Sequence, residues 1–332
     1  MDKNRASGHS SFAIRLLIAG TWLYVAAILG WRLLRLVVGD TWLLVRLGNY
    51  FTPWLLLCLA AGLLLAVLVR RTWLIVVSLL LVGIISRSYW PMFLPHLPHA
   101  IAAPEMQTKL RVMTFNVHFA NHDIADLVEL VQTEKPDLIA FQEITPEIIG
   151  PLRDDIGGDY PYFLLDDARW PRLAIVSRYP LTGLAPPTGA WRTQWAIATL
   201  PQGPVVVWNV HSPPSIRQED WEWQRRTFQA IADALAPDEC PTLVMGDLNT
   251  TDQNENYSLL TASLVDVQRQ AGDGFGFTFP DTRLYFPSHP GFGPFIRIDH
   301  ILVSRQLVPE EVHVGAGRYG SDHYPVIAAL AY

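Results

Sequence analysis

Cysteine is nearly absent from this chain. Cys58 lies in an apolar run and Cys240 in an acidic region, so an intrachain disulfide is not expected. A zinc site built on thiolates is excluded by count. Acidic residues are missing from the front, where Asp40 is the only one between Ser10 and Pro104. Basic clusters are missing from the rear, where nothing larger than Arg225-Arg226 occurs. No internal repeat is visible. Residues 1–104 carry nine Lys/Arg against two Asp/Glu, a balance of +7, and the remainder sixteen against twenty-nine, a balance of −13. A rear domain of that charge has no general attraction for a polyanion, because Lys/Arg neutralisation of phosphates supplies most non-specific nucleic-acid affinity.

The front has apolar length instead. Phe12 to Trp31 is interrupted only by Arg15, which can snorkel from a helix end. Phe51 to Val69 is 19 residues without a charge, and Thr72 to Trp90 is broken only by Arg87. At 1.5 Å per residue, such a run reaches about 28 Å, close to the hydrocarbon thickness. A signal peptide would not be followed by two further runs of this kind. Residues 1–90 are therefore expected to form a transmembrane region with three helices, about 12–31, 51–69 and 72–90, in a lipid bilayer. The mixed stretch Arg32 to Asn49 suits an interfacial amphipathic segment or a loop. Lys3, Arg5, Arg15, Arg70 and Arg71 fall on one side, and Arg32, Arg35, Arg46 and Arg87 on the other. That placement points to a cytoplasmic amino terminus, and three spans then put everything after Trp90 outside the cell membrane. Prolines at 91, 95, 98 and 104 make 91–108 an extended, semi-rigid linker.

From Lys109 the pattern changes to that of a globular α/β domain. "LRVMTFNV", "DLIAFQE", "RLAIVSRYPL", "GPVVVWNVH", "TLVMGDLN", "RIDHILVS" and "VIAALA" read as strands. Ile124, Leu127, Val128 and Val131 mark one amphipathic helix, and Phe228, Ile231, Ala232 and Leu235 another. Mixed elements over residues 109–332 fit a single α/β sandwich.

Several apolar strands run into polar groups that a strand core would not tolerate unpaired. These are Asn116 in "MTFNVH", Glu143 in "IAFQEI", His211 in "VWNVHSP", Asp247 and Asn249 in "VMGDLNT", Asp299 in "RIDHILVS" and Asp322-His323 in "GSDHYP". Each has a bland reading alone, as a turn residue, an edge charge or a satisfied core histidine. Together they can converge on one rim. Carboxylates with an amide and no thiolate suit a hard cation such as Mg²⁺, with Mn²⁺ also admitted. Two histidines add proton transfer or donation to a phosphoryl oxygen. These are the parts of hydrolytic phosphoryl transfer.

The ordered set "TFNVH", "FQEI", "WNVHS", "GDLNT", "IDHIL" and "SDHYPV" resembles the endonuclease/exonuclease/phosphatase superfamily, which includes deoxyribonuclease I and neutral sphingomyelinases. The resemblance implies a four-layer α/β sandwich, deoxyribonuclease I-like, with two mixed sheets and the site at one edge. It also implies roles. Glu143 is the principal Mg²⁺ ligand with Asn116 beside it and Asp322 next to the metal. Asp247 orients or deprotonates the attacking water, and Asn249 positions phosphate and water. His323 donates to the phosphoryl oxygens, Asp299 holds its tautomer, and His211 contacts the phosphate or assists the leaving group. His118, His122, His289, His300 and His313 match no catalytic position and read as structural. Trp208, Trp221 and Trp223 read as packing, while Trp191, Trp195 and the loop "TRLYFPSHPGFGPF" are candidates for the site mouth.

The fold leaves the substrate open. An arrangement of three spans before this domain resembles the teicoplanin-resistance membrane proteins, which implies a phosphorylated lipid, such as a polyprenyl pyrophosphate, at the outer membrane face. A membrane-tethered nuclease for extracytoplasmic nucleic acid is the second reading, disfavoured by the charge. A non-catalytic binding module is the third. Its signature would be a broken metal or histidine position, and every expected position is filled.

Overall fold

The computed structural model describes residues 3–94, 109–166, 172–235, 239–285 and 291–332, with side chains from residue 12 onward. The chain divides into two compact units, Met1–Trp90 and Pro91–Tyr332.

In the first unit, α1 runs over Lys3–Val38, α2 over Leu43–Tyr50, α3 over Thr52–Leu68 and α4 over Thr72–Ser86. The first helix is longer than the sequence suggests because nothing breaks it before Gly39, whose φ of 58° ends the helical path. Part of the stretch Arg32 to Asn49 thus extends α1, and the rest forms α2. The segment Phe12–Thr41 is long and apolar enough to cross a bilayer; α2 and α3 together pass the same test across a 74° bend. The third expected helix is shorter than its apolar run. It ends at Ser86, and its 15 residues fall short of the ~20 of an upright span. Leu23, Leu36 and Trp73 are exposed while Asp40, Arg46 and Asn49 are buried, which inverts the pattern of a water-facing bundle. The buried polar groups bond one another: Arg46 Nη1 donates to the carbonyls of Asp40 and Thr41 at 3.0 Å each, and Asn49 Nδ2 donates to the Asp40 carboxylate. Of the proline-rich linker, Trp90–Phe93 forms a 3₁₀ turn rather than an extended spacer; residues 95–108 lie outside the described residues.

The second unit contains two six-stranded sheets. Its elements are β1 (Lys109–Asn116), α5 (Ile124–Glu134), β2 (Leu138–Ile144), α6 (Pro146–Ile156), β3 (Tyr162–Leu165), β4 (Arg172–Ser177), β5 (Leu181–Leu184), β6 (Thr193–Leu200), β7 (Gly203–His211), α7 (Gln218–Ala234), β8 (Thr242–Asp247), α8 (Glu255–Thr261), β9 (Val265–Asp266), α9 (Val267–Ala271), β10 (Asp299–Val303), β11 (Val308–Val314) and β12 (Val326–Ala331). One sheet has the order β11-β12-β1-β2-β4-β3 and the other β5-β6-β7-β8-β10-β9. "RLAIVSRYPL", read as one strand, is divided between the sheets. Pro180 cannot donate to a ladder, and the chain leaves β4 for β5 there.

Alternation along the strands makes the layers. Leu110 and Val112 of β1 face the other sheet, against Val205, Val207, Leu243 and Met245. Met113 and Phe115 face outward onto α5 and α6. On the other sheet Trp208, Val210 and Val244 face α7 and α8. The result is the four-layer α/β sandwich.

One buried ion pair ties the second sheet to its flanking loop. Arg297 donates to both oxygens of Asp266, at 3.0 and 2.9 Å, and lies 3.1 Å from Asp252. Burial by itself would raise the Asp266 pKa, but the Arg297 charge and hydrogen bonds outweigh it and hold the carboxyl down to about 2. This stabilisation is present above the ordinary carboxylate range and is lost as pH falls from about 4 through about 2. Asp266→Asn leaves Arg297 buried with one partner fewer, and urea unfolding is expected to show a loss of about 3–5 kcal/mol at pH 7. It should also flatten the acid limb of stability; an unchanged limb would show that the pair does not control it.

Candidate active site

Register places the polar strand ends. In the parallel β7–β8 pair His211 stands opposite Asp247, and in the antiparallel β8–β10 pair Asp299 stands opposite the same Asp247. In the other sheet Asn116 stands opposite Gln142, the neighbour of Glu143. The β2–β4 register shifts between Gln142 and Ile144, and Glu143, the residue at that bulge, has φ 58°. A bulge re-aims a side chain, and here the carboxylate is turned toward the second sheet.

The groups meet across the two sheets. Asn116 Nδ2 donates to Asp247 at 3.1 Å and to Glu143 at 3.3 Å. His211 Nε2 is 3.7 Å from Glu143 and 3.6 Å from Asp247. Asn249, at φ 46°, donates its backbone N–H to one oxygen of Asp247 at 2.9 Å and its amide to the other at 3.1 Å. His323 Nδ1 pairs with Asp299 at 2.8 Å while its Nε2 lies 3.7 Å from Asp247. Asp322 accepts a hydrogen bond from the Tyr285 hydroxyl. All eight residues singled out in the sequence thus lie in one constellation, linked directly or through a neighbour.

Its electrostatics divide two identical rings. His211 is lowered to about 3, by burial first and then by Arg192 and His323, so the imidazole is neutral at pH 7. Burial also disfavours the cationic form of His323, but Asp299 and Asp247 outweigh it and raise this ring far above the usual histidine range. Asp247 is pushed up, chiefly by burial, with Asp299 adding to the rise.

This imbalance tests whether the site fits a metal. Asp247, Asp299 and His323 offer ligand atoms within 4.8 Å of one another, but a histidine held protonated by Asp299 is a donor and not a ligand. The oxygen donors of Glu143, Asn116 and Asp322 are the set a hard divalent cation requires. The raised carboxyl of Asp247 is what a buried acid shows when no cation offsets it. The residues fit.

A model of the endonuclease/exonuclease/phosphatase family matches residues 113–323. The chain belongs to that family. Its members are metal-dependent phosphoesterases and nucleases, so hydrolysis of a phosphoric ester is the chemistry of this site. Similar solved structures include the endonuclease/exonuclease/phosphatase from Beutenbergia cavernae, 21% identical with a TM-score of 0.54, the match covering 68% of this chain and 72% of that one. The family protein from Bacteroides vulgatus is 20% identical, TM-score 0.54, covering 68% and 99%. D. rerio TDP2 complexed with single strand DNA product is 19% identical, TM-score 0.53, covering 68% and 100%. These likenesses show the fold. No curated protein matches the chain by sequence.

Some expectations within the family frame need correction. Trp195 stacks on Trp208 at 4.7 Å and packs the outer face of the second sheet instead of lining the mouth. Trp223, read as packing, is half-exposed and stacks on Trp191 at 6.0 Å. His300 is structural: it is buried, lowered to about 4 mainly by burial, and bonded to the Thr250 carbonyl at 2.8 Å. His289 lies outside the described residues. Sequence reasoning passed over Gln142 and Asn209, which join the sheets through a 2.8 Å bond just beneath the site. Their signal was an amide one residue before Glu143 and another two residues before His211, inside otherwise apolar strands.

Gly246 supports the whole constellation. Its φ is 148°, and a Cβ there would sit 1.9 Å from the Val210 carbonyl oxygen. Gly246→Ala must push β8 from β7 and carry Asp247 away from His211. Urea unfolding is expected to show a loss of at least about 2 kcal/mol. Wild-type stability in this variant would mean that the two strands do not approach so closely.

Proposed function

We propose that the protein is a membrane-anchored, Mg²⁺-dependent phosphatase or phosphodiesterase acting on a lipid-linked phosphate or pyrophosphate at the outer membrane face. The observation that carries this reading is where the second unit exposes its large apolar side chains. Between residues 109 and 332, Phe119, Trp191, Ile216, Tyr285 and Phe292 are half or more exposed, Phe292 at 79%. All five stand on loops near the strand ends and loops that carry site residues, and Phe119 and Tyr285 bond site residues directly. Phe119 N–H donates to Glu143, Trp191 precedes Arg192, Ile216 follows β7, Tyr285 bonds Asp322, and Phe292 bonds Thr282. An apolar rim around an acidic site fits a substrate with a phosphorylated head and a hydrocarbon tail. The apolar segment Phe12–Thr41 supports an anchor, and the Lys/Arg placement, taken with an odd number of spans, supports an external catalytic unit.

In this reading Glu143 and Asn116 would hold the cation, with Asp322 beside it. The cation, when bound, offsets charge on the phosphoryl oxygens. Asp247 receives the proton of the attacking water, and Asn249 positions that water and the phosphate. His323, kept protonated and oriented by Asp299, donates to a phosphoryl oxygen. Neutral His211 contacts the phosphate on the opposite side or assists the leaving group.

A nuclease is the second reading, favoured by the stacked, exposed Trp191–Trp223 pair, since exposed indoles can stack on bases. The D. rerio TDP2 structure, with its single strand DNA product, shares the fold. The −13 charge of residues 105–332 opposes it.

Purified full-length protein in detergent, offered a polyprenyl pyrophosphate and plasmid DNA with Mg²⁺, separates the readings. Phosphate release from the lipid is expected, abolished by chelator and restored by Mg²⁺ or Mn²⁺. It should fall by about 10²–10⁴-fold in Asp247→Asn and His323→Ala. DNA nicking without lipid hydrolysis would select the nuclease. A reporter fused after Tyr332 that is active only in the cytoplasm would overturn the external orientation.

A further inference from the structure

We propose that Arg192 binds a second phosphoryl group of the substrate, so that the site selects a diphosphate over a monophosphate. This deepens the proposed function and rests on it for the lipid part of the substrate.

The position of Arg192 comes from the backbone. Thr193 opens β6 opposite Val210 of β7, and the next rung is made by the His211 N–H donating to the Arg192 carbonyl at 3.0 Å. That bond makes Arg192 the backbone neighbour of His211 at the rim. The guanidinium is close enough to help depress the His211 pKa.

Two features mark Arg192. Among the described residues it makes no ion pair, whereas Arg283 is tied to Asp281 and Arg297 to Asp266 and Asp252. Its backbone also has φ 50°, a conformation that a residue with a Cβ rarely adopts. A partnerless, half-buried cation on a strained turn beside a catalytic cluster has no evident structural task.

Charge accounting indicates what it would bind. Four carboxylates, Glu143, Asp247, Asp299 and Asp322, stand in the site, and the charge of one divalent cation does not offset them. A second phosphoryl group beside the first adds further negative charge, and the Arg192 guanidinium offers it a planar fork suited to phosphate. In hydrolysis of a diphosphate, the water oxygen bonds to the terminal phosphorus and the bridging P–O bond breaks. Its electron pair leaves on the inner phosphate, and the water proton passes to Asp247 and on to solvent. Negative charge therefore grows on the inner phosphate, where a fixed guanidinium is most useful.

The test is calorimetric binding to the Mg²⁺-loaded full-length protein in detergent, with methylenediphosphonate as the non-hydrolysable diphosphate and inorganic phosphate as its single-group counterpart, at fixed free Mg²⁺. Wild type is expected to prefer the diphosphonate by about 10–100-fold, the worth of a charge-assisted contact. Arg192→Ala should remove most of that preference and Arg192→Lys should recover part of it, both variants keeping the wild-type melting temperature. Equal affinities in wild type, or a preference that survives Arg192→Ala, would overturn the assignment. If the preference behaves as expected but a prenyl diphosphate is not hydrolysed by wild type, the Arg192 assignment stands and the lipid reading alone fails.

Discussion

The two sheets must approach closely at one end, and everything at the site depends on that approach. Their shared core is aliphatic along most of its length, from Leu110 and Val112 to Met245 and Val303. At the site end the aliphatic packing gives way to amides. Gln142 Nε2 donates to Asn209 Oδ1 at 2.8 Å, and Asn209 Nδ2 donates to the Phe141 and Ala174 carbonyls at 2.9 and 3.1 Å. A buried amide network of this kind is favourable only when its partners are all in place. It therefore fixes how the sheets meet, and Glu143, the next residue after Gln142, and His211, two residues after Asn209, are carried into their places.

Above that layer the same low dielectric produces two different histidines. His211 faces Glu143 and Asp247 at distances beyond a hydrogen bond, and burial together with the neighbouring Arg192 and His323 keeps it neutral. His323 bonds Asp299 directly and is kept charged. One ring is a neutral contact and the other a charged donor, a division made by partner geometry alone.

Much of this was legible before any coordinates. Alternation in "LRVMTFNV" identified β1, and the spacing of Ile124, Leu127 and Val131 identified α5. The apolar-to-polar break at the end of each strand picked out all eight clustered residues, because an unpaired polar group in an apolar strand end carries its own signal. Short or edge elements were less visible. β3 and β9 have four and two residues, too few for a period to show, and β11 is interrupted by its own register shift. The tryptophans misled because an indole reads alike in a core and on a rim; Trp195 and Trp223 exchanged the expected places. Tyr285 and Arg192 sit in loops where no periodicity exists.

The amino-acid order by itself determined which residues were out of place, since polarity and hydropathy are properties of each side chain and its near neighbours. It also determined the contrast between an apolar basic front and an acidic rear. Only the tertiary structure decided that residues 207 positions apart, Asn116 and His323, share one cluster, and which histidine is charged. Those outcomes depend on distance across two packed sheets and on local dielectric, neither of which is a function of separation along the chain.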